Sequence, residues 1–334
     1  MKTWFGAALA AGAMLFGASG AWAQSKTLTV AYQDMMNPWR VAMANKEVEK
    51  ETGYTINWRQ FGGGGDVIRA MASGDIQIGE AGSAAVATAA SQGMDVELFW
   101  ILEDIGAAEA LVVKPAIKTP QDLKGKRIAT PFVSTSHYQL MFALEKWGLK
   151  PNELQVLNMR PADIGAAWQR GDLDGTFIWD PVLAQAKKNG HVLITSAQVG
   201  EMGRPTFDGM LVSRKFAQAN PDFMVKLVKI MAKNDAAYMA NKAGWTVQSP
   251  QIQAVAKISG AKPEDVPDGM ALYGFPSLEQ QASAKWLGGG KEGGAAKALA
   301  ATAGFLKEQG RIEKVLPDYS AAVNPEWVKR AAAK

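Results

Sequence analysis

The sequence has no cysteine and only two histidines, His137 and His191, among its 334 residues. The absence of cysteine excludes disulfide bonds, a thiol nucleophile and any metal site built on thiolates. The two histidines lie far apart, with no carboxylate-rich pattern around either of them. We therefore expect no catalytic histidine, no metal site and no cofactor.

An excess of charge of one sign is also missing. The chain carries 36 Lys and Arg against 32 Asp and Glu, a net charge of +4, and the basic residues are scattered. A nucleic-acid-binding protein would show a basic stripe or patch, so no nucleic-acid partner is expected. Three common enzyme motifs are absent as well: the G-x-S-x-G elbow, the P-loop and H-E-x-x-H. These absences favour a binding protein over an enzyme.

Long apolar runs are absent after residues 1–23. That first segment combines Lys2, the apolar run FGAALAAGAMLFGA and the small residues Ala21 and Ala23, which is typical of a secretory signal peptide cleaved before Gln24. The run is shorter than the roughly 20 apolar residues of a membrane span, so an anchor is the less favoured alternative. We expect an exported, periplasmic protein.

Strand-like and helix-like segments alternate along the rest of the chain. Strand patterns at 26–33 and 54–61 flank a helix pattern at 41–53. Further strands are predicted at 96–102, 108–114, 126–131, 154–159, 175–180, 191–196 and 207–216. Helices are predicted between these strands and over most of the later chain. This rhythm is typical of an α/β fold with largely parallel sheets.

Two α/β lobes joined by two crossings, near 108–114 and 207–213, explain this order most economically. Residues 24–110 and 211–334 are predicted to form a discontinuous first lobe, and residues 111–210 the second. The late helices are expected to cover the first sheet. A ligand in such a design lies between the lobes, where closure buries it.

Small polar residues stand where two helices are predicted to begin. Ser83 follows the apolar segment IQIGEAG, and Ser134, Thr135 and Ser136 follow RIATPFV. Plain helix capping explains any one of these hydroxyls. The carboxyl ends of strands border the crevice of an open α/β sheet, however, and helix N-termini favour anions. Together these hydroxyls predict an anion site between the lobes.

Two acidic residues need a different explanation. Asp180 precedes Pro181 at a predicted helix start, so capping is the favoured role for its carboxylate. Asp208 begins an apolar strand, where a carboxylate would be costly to bury without a partner. That partner is either the nearby Arg204 or a cationic group on the ligand.

Aromatic residues are candidates for the walls of the cleft, although each of them can equally belong to the core. Trp179 is favoured because it ends a predicted strand, where an ammonium group could rest on its face. The other aromatic candidates are Tyr32, Phe132 and Tyr138.

The segment GGGGD at 62–66 does not have the spacing of a phosphate loop, and it predicts a flexible entry to a helix capped by Asp66.

With these segments taken together, the chain resembles the periplasmic binding proteins of sulfonate ABC importers, most of all their taurine-binding branch. The resemblance covers essentially the whole chain after the signal peptide. SGDIQIG and QRGDLDG are shared widely among related binders, whereas STSHY and PTFD are more particular to the taurine branch. Around QDMMNPW, at WDP and at Arg204 the chain departs from the family's pattern.

The resemblance implies a two-lobed periplasmic-binding-protein fold, type II-like, that captures taurine and delivers it to a membrane permease driven by an ATPase. It implies that Ser83, Ser134, Thr135 and His137 face the sulfonate. Asp208 is implied as acceptor for the amine, with Gln33 and Trp179 as walls. A monomer is expected. The alternatives are a receptor for plain alkanesulfonates or another small oxyanion, and a thiamine-precursor enzyme on the same fold.

Overall fold

Two five-stranded sheets form the centre of the molecule. The computed structural model describes residues 26–333, so the predicted signal peptide and its cleavage site lie outside the described residues. The first sheet contains β1 (Thr27–Tyr32), β2 (Thr55–Gln60), β3 (Ile78–Gly82), β4 (Val96–Asp104) and β10 (Phe207–Ser213). The second contains β5 (Glu109–Val113), β6 (Arg127–Thr130), β7 (Gln155–Asn158), β8 (Gly175–Trp179) and β9 (His191–Thr195).

The strand order has the same logic in both sheets. The first sheet has the order β2-β1-β3-β10-β4, and β10 runs antiparallel to both of its neighbours. The second has the order β7-β6-β8-β5-β9, with β5 antiparallel to β8 and β9. Four strands of each sheet therefore point the same way and one is reversed. The prediction of two α/β units with mainly parallel sheets is confirmed.

The reversed strands place their first residues at the functional edge of each sheet. Asp208, near the start of β10, pairs with Gly82, the last residue of β3. Glu109, the first residue of β5, pairs with Trp179, the last residue of β8. Because ligands of open α/β sheets bind beyond the carboxyl ends of the parallel strands, both acids lie at the edge where a ligand is expected.

The chain changes sheets through short segments. It leaves the first sheet after Asp104 and enters the second at Glu109, and it returns to the first sheet at Phe207. The predicted lobe limits at 110 and 210 fall inside β5 and β10, each of which lies wholly in one sheet. The division into lobes stays a prediction.

Helices cover both sheets. Those in the described residues are α1 (Trp39–Ala44), α2 (Glu47–Thr52), α3 (Gly64–Ala72), α4 (Ser83–Ser91), α5 (Thr135–Lys146), α6 (Pro161–Arg170), α7 (Val182–Lys187), α8 (Ser196–Glu201), α9 (Arg214–Ala219), α10 (Pro221–Ala240), α11 (Pro250–Ser259), α12 (Val266–Ala271), α13 (Leu278–Gln281), α14 (Gly294–Glu308) and α15 (Glu326–Ala332). As predicted, the late helices α10, α14 and α15 share the core of the first sheet through Leu227, Leu299 and Val328. None of the helices in residues 26–333 is long and apolar enough to cross a membrane.

Two helix predictions need correction. The single helix predicted at 41–53 is divided into α1 and α2, because Lys46 takes a left-handed backbone conformation with φ 53° that interrupts helical hydrogen bonding. The GGGGD segment is not a flexible entry, since α3 begins at Gly64 within it. Asp66 therefore lies inside the first turn, where it pairs with Arg69 instead of capping the helix.

Candidate functional site

A small cavity lies between the carboxyl edges of the two sheets. It encloses about 290 Å³ of space between atoms when its open mouth is included. Five of the seven predicted site residues line it, namely Gln33, Ser134, Thr135, Trp179 and Asp208. Five further residues line it that the sequence analysis did not include, namely Met35, Gly64, Gly82, Glu109 and Val133.

The hydroxyl groups of the Ser-Thr-Ser stretch are already engaged within the protein. Ser134 caps α5 by accepting a hydrogen bond from the His137 N–H at 3.1 Å, and its own hydroxyl donates to the Pro131 carbonyl. The Thr135 hydroxyl donates to Glu109 Oε1 at 2.6 Å. The capping explanation is correct for Ser134, so the anion donors must be sought in the backbone.

Backbone N–H groups at the helix starts supply those donors. In residues 26–333 no acceptor pairs with the N–H groups of Gly64 and Gly65 in α3, or of Thr135 and Ser136 in α5. Helix α4 begins beside them, directly after Gly82, with no side chain capping it. Three helix N-termini therefore converge on one cavity, and each favours a nearby anion by about 0.3–1 kcal/mol, more when partly buried.

Two glycines allow this convergence. A Cβ atom at Gly64 would lie 2.8 Å from the Cβ of Ala85 in α4, too close for any real pair of carbon atoms. A Cβ atom at Gly82 would lie 3.0 Å from both Asp208 Oδ1 and Thr135 Cγ2. The absence of a side chain at Gly64 lets the start of α3 approach α4, and its absence at Gly82 lets the start of α4 approach that of α5.

Ser83 and His137 do not line the cavity. Ser83 is the first residue of α4, fully buried, and its hydroxyl has no hydrogen-bond partner in the described structure. His137 is turned aside, with its ring stacked on Phe132 at a centroid distance of 4.2 Å and its edge towards Phe305. Burial and the charge of Arg311 together lower the pKa of His137 to about 4, so the ring is neutral and offers no positive charge to an anion.

Two carboxylates also line the cavity. Asp208 makes no ion pair within residues 26–333, and Arg204 instead lies over the Phe142 ring at 5.0 Å. Glu109 reaches the same cavity from the second sheet, and its Oε2 atom has no hydrogen bond in the described structure. Burial raises the pKa of Asp208 well above its usual value and that of Glu109 to about 7. Of the two partners considered for Asp208, a cationic group on the ligand is therefore the one that the geometry leaves open.

A sequence signal for Glu109 existed. It is the acidic first residue of an otherwise apolar strand, EALVV, as Asp208 is the acidic second residue of FDGMLVS. The two strands are the reversed ones in their sheets, so the two acids are structural counterparts. Asp180, by contrast, caps α7 as predicted, accepting a hydrogen bond from the Ala184 N–H at 2.7 Å.

The remaining walls are fixed by hydrogen bonds to two acids, Asp34 and Glu80. The indole Nε1 of Trp179 donates to Asp34 Oδ1 at 2.7 Å. The Gln33 backbone N–H donates to Glu80 Oε2 at 2.9 Å, and its side-chain amide donates to the Glu80 carbonyl. Trp179 is the single aromatic lining residue, because the other aromatic candidates point elsewhere. Phe132 lines the wider cleft outside, Tyr138 is buried against Phe305, and Tyr32 packs on the first core.

Comparisons with known proteins show the family of this chain. Residues 26–258 match the family model OpuAC, described as the substrate-binding domain of an ABC-type glycine betaine transport system. The taurine-binding periplasmic protein of Escherichia coli is 42% identical over 307 residues, which is 92% of this chain and 94% of that protein. The chain belongs to the family of ABC-importer substrate-binding proteins. The resemblance inferred from the sequence motifs is therefore confirmed.

Solved structures support the same fold. The alkanesulfonate-binding protein SsuA from Xanthomonas axonopodis pv. citri, bound to MOPS, superposes with a TM-score of 0.72 at 26% identity, covering 87% of this chain and 96% of that one. The aliphatic sulfonate-binding protein SsuA from Escherichia coli shares the fold with a TM-score of 0.71 at 24% identity, covering 91% and 99%. The two-lobed periplasmic-binding-protein fold is thus confirmed.

Family membership determines the general role of this substrate-binding protein. It is the solute-binding component of an ABC importer and not an enzyme, and the importer's permease and ATPase are its partners. Its relatives are periplasmic, which agrees with the predicted export. No group of side chains in residues 26–333 has the composition of a metal site.

Proposed function

We propose that this substrate-binding protein captures taurine, 2-aminoethanesulfonate, in the cavity between the two sheets. The sulfonate lies at the converging starts of α3, α4 and α5, and the ammonium group lies between Asp208 and Glu109. The observation that carries the proposal is that unpaired backbone N–H groups at helix starts and two carboxylates line the same small cavity. A sulfonate remains ionised at ordinary pH, so neutral backbone donors can hold it without a proton transfer.

The expected energies suit a micromolar receptor. Hydrogen bonds to charged groups contribute about 1.5–3 kcal/mol each, and three helix N-termini add about 0.3–1 kcal/mol each. A micromolar dissociation constant requires about 8 kcal/mol. A few such contacts reach that value after the cost of ordering the ligand, without a large apolar surface.

The carboxylates argue against two other ligand classes. A plain alkanesulfonate has no cationic group, so it would leave Asp208 and Glu109 buried against an anion, which is costly. Glycine betaine carries a quaternary ammonium, which proteins recognise with cages of several aromatic rings. Trp179 is the single aromatic residue among those lining this cavity. Taurine supplies both an anion and a hydrogen-bonding cation.

Calorimetric titration with taurine, ethanesulfonate and β-alanine tests the proposal. Taurine is expected to bind at least tenfold more tightly than either analogue, a difference of about 1.4 kcal/mol. Ethanesulfonate lacks the ammonium group and β-alanine replaces the sulfonate, so each comparison isolates one pole. Equal affinity for taurine and ethanesulfonate would show that the carboxylates do not contribute to binding the ammonium group. If no taurine binding is detected, taurine is not the ligand.

Replacing Gly82 by Ala is expected to weaken both taurine and ethanesulfonate at least tenfold, about 1.4 kcal/mol. The new methyl group would lie 3.0 Å from Asp208 Oδ1 and Thr135 Cγ2, in the space that closure leaves for the ligand. The backbone of Gly82, with φ −66° and ψ 155°, accepts any residue, so the fold should be retained. Titration calorimetry and the melting temperature measure the two effects.

Gly304→Ala is the matched control for that substitution. Gly304 lies in α14, and a Cβ atom there would meet nothing within 4 Å. Its binding should match that of the unmodified protein. Unchanged taurine affinity in Gly82→Ala would show that the ligand does not occupy the space next to Gly82.

We also propose the mature chain, the oligomeric state and the lobes of the protein. The exported chain begins at Gln24 and acts as a monomer. Its first lobe is built around residues 24–110 and 211–334, and its second around 111–210. One chain lining both poles of the cavity supports the monomer. Intact mass of the periplasmic protein and its mass by light scattering test these points.

A further inference from the structure

Four buried acids and a single buried cation lie near the edge where the two sheets face each other. The acids are Glu80, Glu103, Glu109 and Asp208, and the cation is Arg40. Each of the five side chains belongs to a residue that is at most 6% exposed. Several negative charges cannot be held so close together in a low-dielectric interior without a cation or a proton for each.

Arg40 is fully occupied by other partners. Its Nη2 atom donates to Glu80 Oε2 at 2.8 Å, with a second bond from Nη1 to Oε1 of the same residue. The remaining donors reach the backbone carbonyls of Gln33 and Met35. The one buried cation thus neutralises Glu80, and no donor of Arg40 reaches Asp208 or Glu109.

The two cavity-lining acids are neighbours across the gap between the sheets. The position of a Cβ atom on Gly82 lies 3.0 Å from Asp208 Oδ1 and 3.5 Å from Thr135 Oγ1. That threonine hydroxyl is 2.6 Å from Glu109 Oε1. The Asp208 carboxylate has no hydrogen bond or ion pair in the described structure, and Glu109 Oε2 has none either.

The surroundings of both acids favour a bound proton while the cavity is empty. Burial raises the pKa of Asp208, the charges of Glu103, Glu109 and Glu80 raise it further, and Arg40 lowers it. Burial raises the pKa of Glu109 to about 7, although nearby hydroxyls lower it. Those hydroxyls belong to Thr135, Ser136 and Ser196, and the remaining titratable neighbour, Tyr273, stays protonated because burial raises its pKa.

We propose that the pair of acids Glu109 and Asp208 holds one proton in the empty site, and that the ammonium group of the ligand displaces this proton when it binds. The inference rests on the proposed function, whose ligand supplies the ammonium group. The step is a simple exchange. A carboxyl O–H bond breaks, its proton passes to the buffer, and the ammonium keeps its own hydrogens while donating to the two carboxylates.

This exchange makes capture depend on pH in a defined direction. Below the pKa of the pair, the ligand must expel a proton, so affinity is weaker in acid and rises as the pH increases. While one proton is released per ligand, the dissociation constant falls about tenfold per pH unit. The dependence levels off once the empty pair has lost its proton. The receptor would thus hold its ligand less tightly in acid.

Calorimetry in buffers of different ionisation enthalpy measures the released protons. Taurine should be titrated at pH 7 in phosphate and in Tris. The two binding enthalpies should differ by the difference between the ionisation enthalpies of the buffers, multiplied by about one released proton. Ethanesulfonate, which brings no cation, should release none. If taurine binds with equal enthalpy in both buffers, after correction for the amine's own ionisation, the proposed proton release is wrong and the proposed function stays intact.

Two substitutions assign the effect to the pair. Glu109→Gln keeps the size of the side chain and the acceptor for Thr135, and it should reduce proton release at least twofold. Asp180→Asn is the matched control, because burial raises the pKa of Asp180 to about 6 but its carboxylate bonds to the start of α7 and does not line the cavity. Proton release on taurine binding should be unchanged in that control. Loss of release in Asp180→Asn and retention in Glu109→Gln would contradict the assignment.

Infrared spectroscopy of the ligand-free protein gives a readout that needs no ligand. A protonated carboxyl group has its own C=O stretching band, and at pH 7 that band should weaken in Asp208→Asn and in Glu109→Gln. If neither substitution changes the band, the empty pair holds no proton and the proposal fails, whether or not taurine binds. If the band behaves as expected but taurine does not bind, the proposed ligand alone is wrong.

Discussion

Asp208→Asn is expected to weaken taurine binding by at least tenfold, with an upper range near 150-fold. These factors correspond to the loss of one charge-assisted hydrogen bond, about 1.5–3 kcal/mol. Asparagine keeps the shape of the side chain and removes its charge, so the cavity should remain intact. Ethanesulfonate should bind at least as well as before, because a carboxylate facing the ligand has gone. Titration calorimetry with both ligands measures the change.

Asp180→Asn is the control for this substitution. Asp180 is also a buried acid at the edge of a sheet, but its carboxylate caps α7 and does not line the cavity. Taurine affinity should therefore be nearly unchanged in the control. Parallel weakening of both ligands in Asp208→Asn would mean that Asp208 supports the fold and not the amine.

Arg40→Met is expected to lower the free energy of unfolding by about 3–5 kcal/mol, because it removes one partner of a buried ion pair. Arg40 and Glu80 are both fully buried, and they make two hydrogen bonds to each other. Without the guanidinium, Glu80 stays buried without a counterion. Urea or guanidinium unfolding measures the change through the midpoint and slope of the transition.

Lys329→Met provides the comparison on the surface. Lys329 pairs with Glu326, and both side chains are more than half exposed, so its loss should cost about 0–1 kcal/mol. A change below about 1 kcal/mol in Arg40→Met would show that the buried pair contributes no more than an exposed one. The same pair also anchors Gln33, a cavity wall, through Glu80. Stability and site geometry are thus linked at this point.

At the anion site, the sequence predicts where the helices begin but not which groups their hydroxyls bond to. Small polar residues after apolar strands correctly indicated helices beginning at Ser83 and Thr135, with Ser134 as a cap. The hydroxyls were assigned to the ligand, yet those of Ser134 and Thr135 bond to the protein. The acceptor of the Thr135 hydroxyl was not predictable from local sequence, because Glu109 lies on a strand of another part of the chain.

The positions of Glu109, His137 and Arg204 were also not predictable from local sequence. Glu109 enters the cavity because β5 is reversed between β8 and β9, which local sequence does not encode. His137 stacks on Phe132, although Ser134 and Thr135, at the start of the same helix, line the cavity. Arg204 is close to Asp208 in the sequence but lies over Phe142.

The sequence by itself determined the export signal prediction, the α/β alternation, the helix starts and the family, because these follow from local composition, periodicity and motifs. Tertiary structure alone decided which groups face the ligand. It brought three helix N-termini together over two glycines and placed two acids from separate sheets in one cavity. Such contacts depend on strand order and on the close approach of distant segments, and neither is a property of a short stretch of chain.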